Sequence, residues 1–318
     1  RINGNLDYYN DKTENILFNV NLPSLTGFGS VLSNIGKIDN NGVEISINTI
    51  NVKRNHFQWN STFNFSKNNN KIVSILGIDD DGDGKEDDLI ANALFIGEAM
   101  GAIYSYQIDG LYQLTDTDIP NGYHPGNYKM VDLDGPDGEP DGKIDPLHDR
   151  TIIGYTEPAY RFSINNRLSY KKWTLNFFIN TIQGGKNGYY GNITPSNQGA
   201  WSAGNLRENG INAVKEWDYW TPTNTDAFFQ GITTRGAISP PHYQQRSFIR
   251  LQDVTLSYKL DGAFSNKLGI KEIDLNLSGK NLATITKWKG TDPELGLGMG
   301  AGHMPLQKSY SLGLNVIF

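Results

Sequence analysis

Several residue types and patterns are missing from the sequence, and each absence removes a class of protein. The 318 residues include no cysteine, so disulfides and thiolate metal sites are excluded. No run of about 18 apolar residues occurs, which excludes a helical membrane protein. The net charge is −6 and the Lys and Arg residues are scattered rather than gathered in a stripe, so nucleic acid is not an expected partner.

Catalytic motifs are also missing. The five histidines lie far apart in the sequence, without a His-Glu-x-x-His pair or a nucleophile elbow. His148 beside Asp149 is interpreted as a loop residue rather than a general base. The glycine-rich run 296–302 lacks the strand–loop–helix context of a phosphate-binding loop. The sequence therefore predicts a protein that is not an enzyme.

The beginning of the sequence has neither a Met nor an apolar leader segment. Arg1 already stands at the start of a strand-like alternation. We expect an internal start, with this chain forming the C-terminal part of a longer polypeptide.

What the sequence does contain is alternation of apolar and polar residues, most clearly in its last ten residues. Tyr310, Leu312, Leu314, Val316 and Phe318 share one face of the strand, and polar or small residues occupy the other. A closing strand of an outer-membrane β-barrel presents apolar residues to lipid and ends on an aromatic residue at the membrane boundary. The terminal segment is typical of such a strand.

The same period-2 pattern recurs along the chain and predicts an all-β, antiparallel fold. Nine segments show it: 1–10, 41–52, 56–68, 100–113, 159–170, 173–180, 253–260, 273–280 and 309–318. A β-sandwich would alternate in the same way. The connections favour a transmembrane barrel, because tight turns near residues 53–55 and 171–172 contrast with long expected loops. These extracellular loops are expected at 11–40, 113–158, 185–246 and 287–306.

The number of strands between the two tight turns poses a problem. Both turns can lie on the periplasmic side only if an even number of strands separates them, whereas the sequence shows three. We therefore expect one further strand hidden between residues 69 and 158, which gives nine or ten strands in all.

The motifs, taken in order, resemble the C-terminal portion of the SusC/RagA family of TonB-dependent outer-membrane transporters. The matching segments are NIGKIDNNGVE (34–44), WNSTFNFSKNNNKI (59–72), YQIDGLYQ (106–113), DGKID (141–145), DRTIIG (149–154), SFIRLQDVTLSY (247–258), GKNL (279–282), TITKWKGTDPE (284–294) and the terminal Phe318.

This resemblance implies that the chain is part of a plugged barrel of about 22 strands in the outer membrane of a Bacteroidetes-like bacterium. It also implies a SusD-like surface lipoprotein as a lid, contact with membrane lipids, and import of oligosaccharides or peptides driven by TonB. The plug and the TonB box have no counterpart in this sequence, so this chain alone should not close a barrel. Two alternatives remain: a secreted, calcium-stabilised β-sandwich that binds glycan, and a small self-contained porin-like barrel.

Two acidic loops are candidate calcium sites with a structural role. The first follows the spacing of a calcium-binding loop, although Ile90 stands where that loop needs a closing Glu. The second is similar to an acidic loop of the family, with residues inserted. The alternative for both is a solvated acidic turn. The candidate ligands are Asp79, Asp81, Asp83 and Asp87 in the first loop, and Asp132, Asp134, Asp141, Asp145 and Asp149 in the second.

The segment 185–246 is rich in aromatic residues, which suit sugar stacking or contact with a lid protein. The alternatives are that these rings pack within their own loop or join the interfacial aromatic girdle. The candidates are Trp201, Trp217, Tyr219, Trp220 and Tyr243. On the polar faces of the strands, residues such as Asn165, Arg167, Asn176 and Asn276 are expected to line a wet lumen.

Overall fold

A computed structural model describes residues 1–21, 30–187, 218–231, 236–261, 269–289, 292–294 and 306–318 of the chain. In chain order its strands are β1 (Ile2–Asn21), β2 (Ser30–Arg54), β3 (Phe57–Ser74), β4 (Ala102–Tyr106), β5 (Ile108–Leu111), β6 (Tyr128–Met130), β7 (Arg150–Tyr155), β8 (Pro158–Tyr170), β9 (Trp173–Gly184), β10 (Lys186–Asn187), β11 (Gln244–Gln245), β12 (Phe248–Asp261), β13 (Glu272–Thr286) and β14 (Ser309–Ile317). One short 3-10 helix spans Ile90–Asn92.

Eight long strands form one continuous antiparallel sheet, which we call the wall. Their order is β1-β2-β3-β8-β9-β12-β13-β14, so every wall strand pairs with its nearest wall neighbour along the chain. The six short strands pair separately as β4-β7, β5-β6 and β10-β11. The all-β, antiparallel fold predicted from alternation is confirmed.

The register places the alternating residues of neighbouring strands side by side. Phe63 of β3 lies opposite Ile164 of β8, and Ile164 lies opposite Ile179 of β9. On the other face, Thr62 is paired with Asn165. Because side chains alternate across a strand, this register gives the wall one apolar and one polar face.

The strand count of nine or ten is wrong for the wall. Segment 100–113 forms β4 and β5, which pair outside the wall, and β3 pairs directly with β8. Two wall strands, β3 and β8, therefore separate the tight turns. The number is even because segment 100–113 is not a wall strand, and not because a further strand lies between residues 69 and 158. The alternation in this segment serves the small core of a loop, where Tyr106 is buried.

The expected loop at 11–40 is also wrong in large part. The strand β1 continues to Asn21 and β2 begins at Ser30, with Asp11 opposite Asn40 and Lys12 opposite Asp39. The runs 10–15 and 39–42 are polar on both faces and interrupt the alternation, whereas the backbone ladder needs no apolar face to continue. A bulge interrupts this pairing near Asn15, whose φ is 58°.

Short and long connections lie at opposite ends of the wall. Strand pairs β2–β3 and β8–β9 are joined by tight turns, and adjacent turns share backbone bonds: the Lys171 N–H donates to the His56 carbonyl at 2.9 Å. The connections after β3, β9 and β13 all leave from the other end. We call these the short-turn end and the long-loop end.

Two further findings limit what the wall can be. Its edge strands are β1 and β14, which do not pair with each other, and no second large sheet packs on either face in the part of the chain that the structure describes. The β-sandwich and the self-contained small barrel are therefore not supported. No described helix is long and apolar enough to cross a membrane.

Replacement of Phe248 by Ala should destabilise the protein by about 3–5 kcal/mol. Phe248 is 1% exposed, whereas its neighbour Ile249 is 42% exposed and points to the opposite face. Ile249→Ala removes a side chain of similar chemistry without leaving a buried cavity, and it should cost clearly less. Unfolding in detergent monitored by tryptophan fluorescence compares the two; equal losses would contradict this account of the packing.

Candidate functional site

The long-loop end carries an assembly of two loop segments, 75–157 and 185–247, which we call the outer-loop assembly. Backbone bonds join the described parts of these segments: the Gly231 N–H donates to the Gly126 carbonyl at 2.7 Å, and the Ala237 N–H donates to the Gly122 carbonyl at 2.9 Å. The two loops therefore fold together, rather than as separate flaps.

An aromatic core lies between these loops. Tyr112 and Tyr123 pack with ring centroids 5.8 Å apart, and burial raises the pKa of both hydroxyls. Gly236 comes so close that a Cβ there would lie 2.7 Å from the Tyr123 ring, so only glycine fits. The core consists of Tyr106, Tyr112, Tyr123 and Met130, with Ile119, Ile144 and Ile238 packed against it.

Trp220 anchors the second loop to the first. Its ring is 8% exposed and lies against Gly126, where an added Cβ would be 2.3 Å from a ring carbon. Gly126 also has a φ of 89°, which an L side chain rarely adopts. The indole N–H donates to Oε1 of Gln113 at 3.2 Å. In this arrangement the Trp220 ring packs within the assembly.

The other aromatic candidates are less enclosed or lie elsewhere. Tyr219 is half-buried and bridges to Phe229, and Tyr243 is half-buried with a pKa raised by burial. Trp201 and Trp217 lie outside the described residues.

His242 lies at the same junction. Its distance in the sequence from the other histidines did not indicate a role for it. Its ring stacks on Phe228 at 4.5 Å and meets the Tyr128 ring edge-on at 5.5 Å. Its Nδ1 is buried without a hydrogen-bond partner among the described atoms. Burial, and then the positive charge of Lys186, lower the pKa of His242 to about 4.

The first acidic loop brings three of its four predicted ligands together. One carboxylate oxygen from each of Asp79, Asp81 and Asp87 lies within 4.8 Å of the others. Asp83 is not in this group; its carboxylate accepts the Lys85 N–H at 2.8 Å. The Asp79 carboxylate also accepts backbone N–H groups of two glycines in the turn, so the loop is held by its own backbone as well.

Glu86 closes this loop, which sequence spacing did not reveal. Its Oε1 accepts three consecutive backbone N–H groups, from Ile75, Leu76 and Gly77, at 2.5–2.7 Å. Burial raises the pKa of Glu86, but these hydrogen bonds and one from Ser74 outweigh it and lower the pKa overall. The positive φ of 68° at Gly77 allows the three N–H groups to converge.

The second acidic loop is organised around Asp149, which is completely buried. Its carboxylate accepts the N–H groups of Leu133 and Asp145, both at 2.7 Å, and that of Asp134 at 3.5 Å. Asp149 thus ties together the two ends of the loop. Backbone donors rather than a cation meet most of its acceptor capacity in this arrangement.

The remaining candidates of this loop play different parts. Asp132 accepts the Gly142 N–H at 2.6 Å through one oxygen, while the other oxygen is buried without a partner in the described structure. Asp141 accepts the Lys143 N–H. The Asp145 carboxylate lies 2.9 Å from Nδ1 of His148. Hydrogen bonds from His148 and from neighbouring backbone N–H groups lower the pKa of Asp145 to about 2. The hydrogen bond to Asp145 raises the pKa of His148.

A buried ion-pair network fixes the connection after β13. The side chain of Arg250 donates to Asp292 at 2.8 Å and to Glu294 at 2.6 Å, and its Nε reaches Thr284. Arg246 donates to the backbone carbonyls of residues 293 and 294. Arg250 and Asp292 are both buried, so each charge depends on the other for solvation.

The polar face of the wall carries the residues expected to line a lumen. Asn165 lies opposite Thr62, and Arg167 lies opposite Asn176. Asn276 accepts a hydrogen bond from Ser257 of the neighbouring strand at 2.6 Å. Where it is described, the polar face of the wall therefore carries amide and hydroxyl side chains rather than a packed apolar core.

The junction of the outer-loop assembly should loosen in acid. Because the pKa of folded His242 lies below its ordinary value, the unfolded chain binds the proton more readily. The stabilisation is complete above about pH 6.5 and is lost as the pH falls toward about 4, by roughly 1–3 kcal/mol. Hydrogen exchange in residues 218–231 should show this loss.

His242→Phe should reduce the loss of protection in residues 218–231 between about pH 6.5 and about pH 4, because it keeps the ring stack and deletes this titrating group. His124→Gln, at an exposed position, is the matched control and should leave the profile unchanged. An identical pH profile in the His242→Phe variant would contradict the assignment.

No family model matches this sequence. Proteins with curated names are nevertheless similar to it in sequence. The chain is 32% identical to TonB-dependent receptor P3 of Formosa agariphila and 27% identical to TonB-dependent receptor SusC of Bacteroides thetaiotaomicron. Each match covers 100% of this chain but only 32% and 30% of the two relatives, so the chain spans about a third of their length.

The fold points to the same proteins. The chain superposes on the RagAB peptide importer in its open-open state with a TM-score of 0.71 at 21% identity, covering 100% of this chain and 33% of that one. At this identity the likeness concerns the fold alone. The structure described as the RagAB peptide transporter gives a TM-score of 0.69 at 20% identity, over 99% of this chain and 33% of that one.

Full-length sequence similarity to the named receptors and the shared wall confirm the resemblance that the motifs indicated. The chain is similar over its full length to TonB-dependent receptors, SusC among them, and has the fold of about a third of the RagAB chain.

Proposed function

We propose that the receptor containing this chain is an outer-membrane transporter that imports oligosaccharides or peptides. In this proposal TonB supplies the energy and a SusD-like surface lipoprotein closes the long-loop end. The chain contributes part of the wall and of the outer loops. The named relatives are receptors and an importer, which supports a function other than catalysis.

The observation that carries this proposal is the separation of the wall into two unlike faces. Leu275 and Leu277 are exposed on the apolar face, while Asn276 between them belongs to the hydrogen-bonded polar face. Such a wall suits lipid on one side and a wet passage on the other. The outer-loop assembly at one end of this wall is the natural position for substrate and lid contacts.

Single cysteines at neighbouring positions test this arrangement, because the chain itself has none. In a receptor otherwise free of cysteine, Asn276→Cys should react with a water-soluble maleimide and Leu275→Cys should not, since the latter faces lipid. Attachment of a bulky maleimide at Asn276→Cys should reduce energy-dependent uptake of a labelled oligosaccharide or peptide. Equal labelling of both positions would overturn the proposed membrane wall.

The uptake assay needs its own control. Cells carrying the Leu275→Cys receptor, treated in the same way, should import at the unmodified rate, and a protonophore should abolish import in both, because the proposed import is driven by TonB. Import that continues in cells lacking the receptor would contradict the transport function even if the labelling pattern is as expected.

We also propose that calcium is bound in the acidic loops as a structural ion. In the first loop, the meeting of Asp79, Asp81 and Asp87 supports this, since carboxylate oxygens are the ligands that Ca²⁺ prefers. In the second loop, the buried and unpartnered oxygen of Asp132 is the supporting feature. Calcium would neutralise the mutual repulsion of these carboxylates and hold long loops in place.

Chelation of calcium should increase proteolytic nicking within residues 79–90 or 132–149 of the folded receptor. Asp81→Asn should reproduce the effect in the first loop only. Asp149→Asn is the informative comparison, because its NH2 group cannot accept the backbone N–H that one carboxylate oxygen now takes, and this should expose the second loop with or without chelator. Unchanged cleavage on chelation would count against both calcium sites.

A further inference from the structure

A short row of polar residues crosses the apolar face of the wall. Thr49 of β2 lies opposite Ser61 of β3, and Ser61 lies opposite Asn166 of β8. Because every second residue of a strand shares a face, Ser61 and Asn166 lie on the same face as Phe63 and Ile164. We call Thr49, Ser61 and Asn166 the polar row.

Apolar side chains border the polar row on both sides along β3 and β8. Phe63 lies opposite Ile164 towards the long-loop end, and Trp59 lies opposite Leu168 towards the short-turn end. The lipid-facing surface of a barrel is an apolar band between two aromatic boundaries. Polar side chains within such a band are costly unless a partner satisfies them, so they indicate a binding site.

Hydrogen bonds satisfy the oxygen atom of the Asn166 side chain. The indole N–H of Trp59 donates to Oδ1 of Asn166 at 2.9 Å, and the Ser61 hydroxyl donates to the same oxygen at 2.6 Å. The Ser61 oxygen in turn accepts from Nδ2 of Asn51 at 2.6 Å. Since an amide oxygen has two lone pairs, the acceptor capacity of Asn166 is filled.

The NH2 group of Asn166, in contrast, has no acceptor. An indole nitrogen only donates, so the atom that faces Trp59 must be the amide oxygen and not the NH2 group. The NH2 group makes no hydrogen bond to any residue that the structure describes. Asn166 is 6% exposed, whereas Asn165 beside it on the polar face is exposed. Two N–H donors are thus held among apolar side chains without a protein acceptor.

The polar row lies just inside an aromatic boundary at the short-turn end. Tyr170 and Trp173 are both exposed, and they form the last pair before the second tight turn. Asn166 precedes Tyr170 by a distance of roughly 13 Å along the strand, or roughly 10 Å of depth at a tilt of about 40°. The Trp59 side chain spans part of this depth, because its N–H reaches Asn166. The polar row is therefore close to the level where acyl chains join the headgroups.

We propose that the polar row binds a diacyl phospholipid, with the NH2 group of Asn166 donating to an acyl ester carbonyl. This proposal rests on the membrane location proposed above. An ester carbonyl accepts hydrogen bonds and has no donor of its own, and its alkyl chain suits the bordering apolar side chains. A peptide segment would bring backbone N–H groups that must be paired in an apolar medium, so a lipid ester fits this site better.

Retention of matched lipids by the complete receptor tests this proposal. Receptor purified in detergent is mixed with equal amounts of a diester phosphatidylethanolamine and its diether analogue, which has the same headgroup and chain length but no carbonyl. Native mass spectrometry gives the ratio of the two lipids bound. The unchanged receptor should favour the diester by about threefold or more, because the ether oxygen is a weaker acceptor and one hydrogen bond is lost.

Two variants of neighbouring asparagines locate the preference. Asn166→Leu removes both donors and should abolish the preference for the diester. Asn165→Leu makes the same replacement on the polar face and should keep it. Heat-dependent gel mobility shows whether each variant has a folded barrel. If Asn166→Leu does not fold, the ratio measured with the unchanged receptor still decides, because it needs no variant.

Equal retention of the two lipids by the unchanged receptor would overturn the proposal. So would a diester preference that survives Asn166→Leu, or one that Asn165→Leu removes as well. A protein that remains bound to the unchanged receptor but not to Asn166→Leu would assign the polar row to a protein partner, and would also overturn it. Failure of the cysteine-labelling test would refute the membrane wall itself, whereas failure of the lipid test alone leaves the wall and the proposed transport intact.

Discussion

The structure depends on one constraint: every backbone N–H and C=O of a strand that crosses an apolar medium must be paired within the protein. The wall meets it with a ladder in which each strand pairs with its nearest wall neighbour in the chain. Once the ladder is fixed, side chains can only alternate between two faces. The apolar face and the polar face both follow from this ladder.

The loops cannot use the ladder, so they obtain stability by other means. They bury a small aromatic core, pack the Trp220 and Tyr123 rings against Gly126 and Gly236, and pair backbone donors with the carboxylates of Glu86 and Asp149. Acidic side chains in these loops therefore serve first as acceptors for the chain itself. Among the described carboxylates, Oδ1 of Asp132 is buried and lacks a hydrogen-bond partner.

The wall could be predicted from the sequence because its signal is periodic and local. The upper parts of β1 and β2 could not, because the polar runs 10–15 and 39–42 interrupt the alternation and Ile16, Leu17 and Phe18 are apolar in succession. Segment 100–113 misled for the opposite reason: Tyr104 and Tyr106 alternate as in a wall strand, but their strand pairs with β7 inside a loop. His242 and Gly126 act through contacts with Tyr128 and Trp220, which are distant in sequence, and Glu86 acts on backbone N–H groups, which side-chain spacing does not reveal.

The pairing of Arg250 with Asp292 and Glu294 limits which substitutions these positions can tolerate. Replacement of Arg250 alone would leave the buried Asp292 carboxylate without its counter-charge. Replacement of Asp292 and Glu294 would leave the buried Arg250 guanidinium without a counter-charge. Neither single step is easily tolerated, whereas joint replacement by apolar residues of similar volume would be. These three positions are therefore expected to covary among related receptors. The covariation would link a wall strand to a loop some forty residues further along the chain.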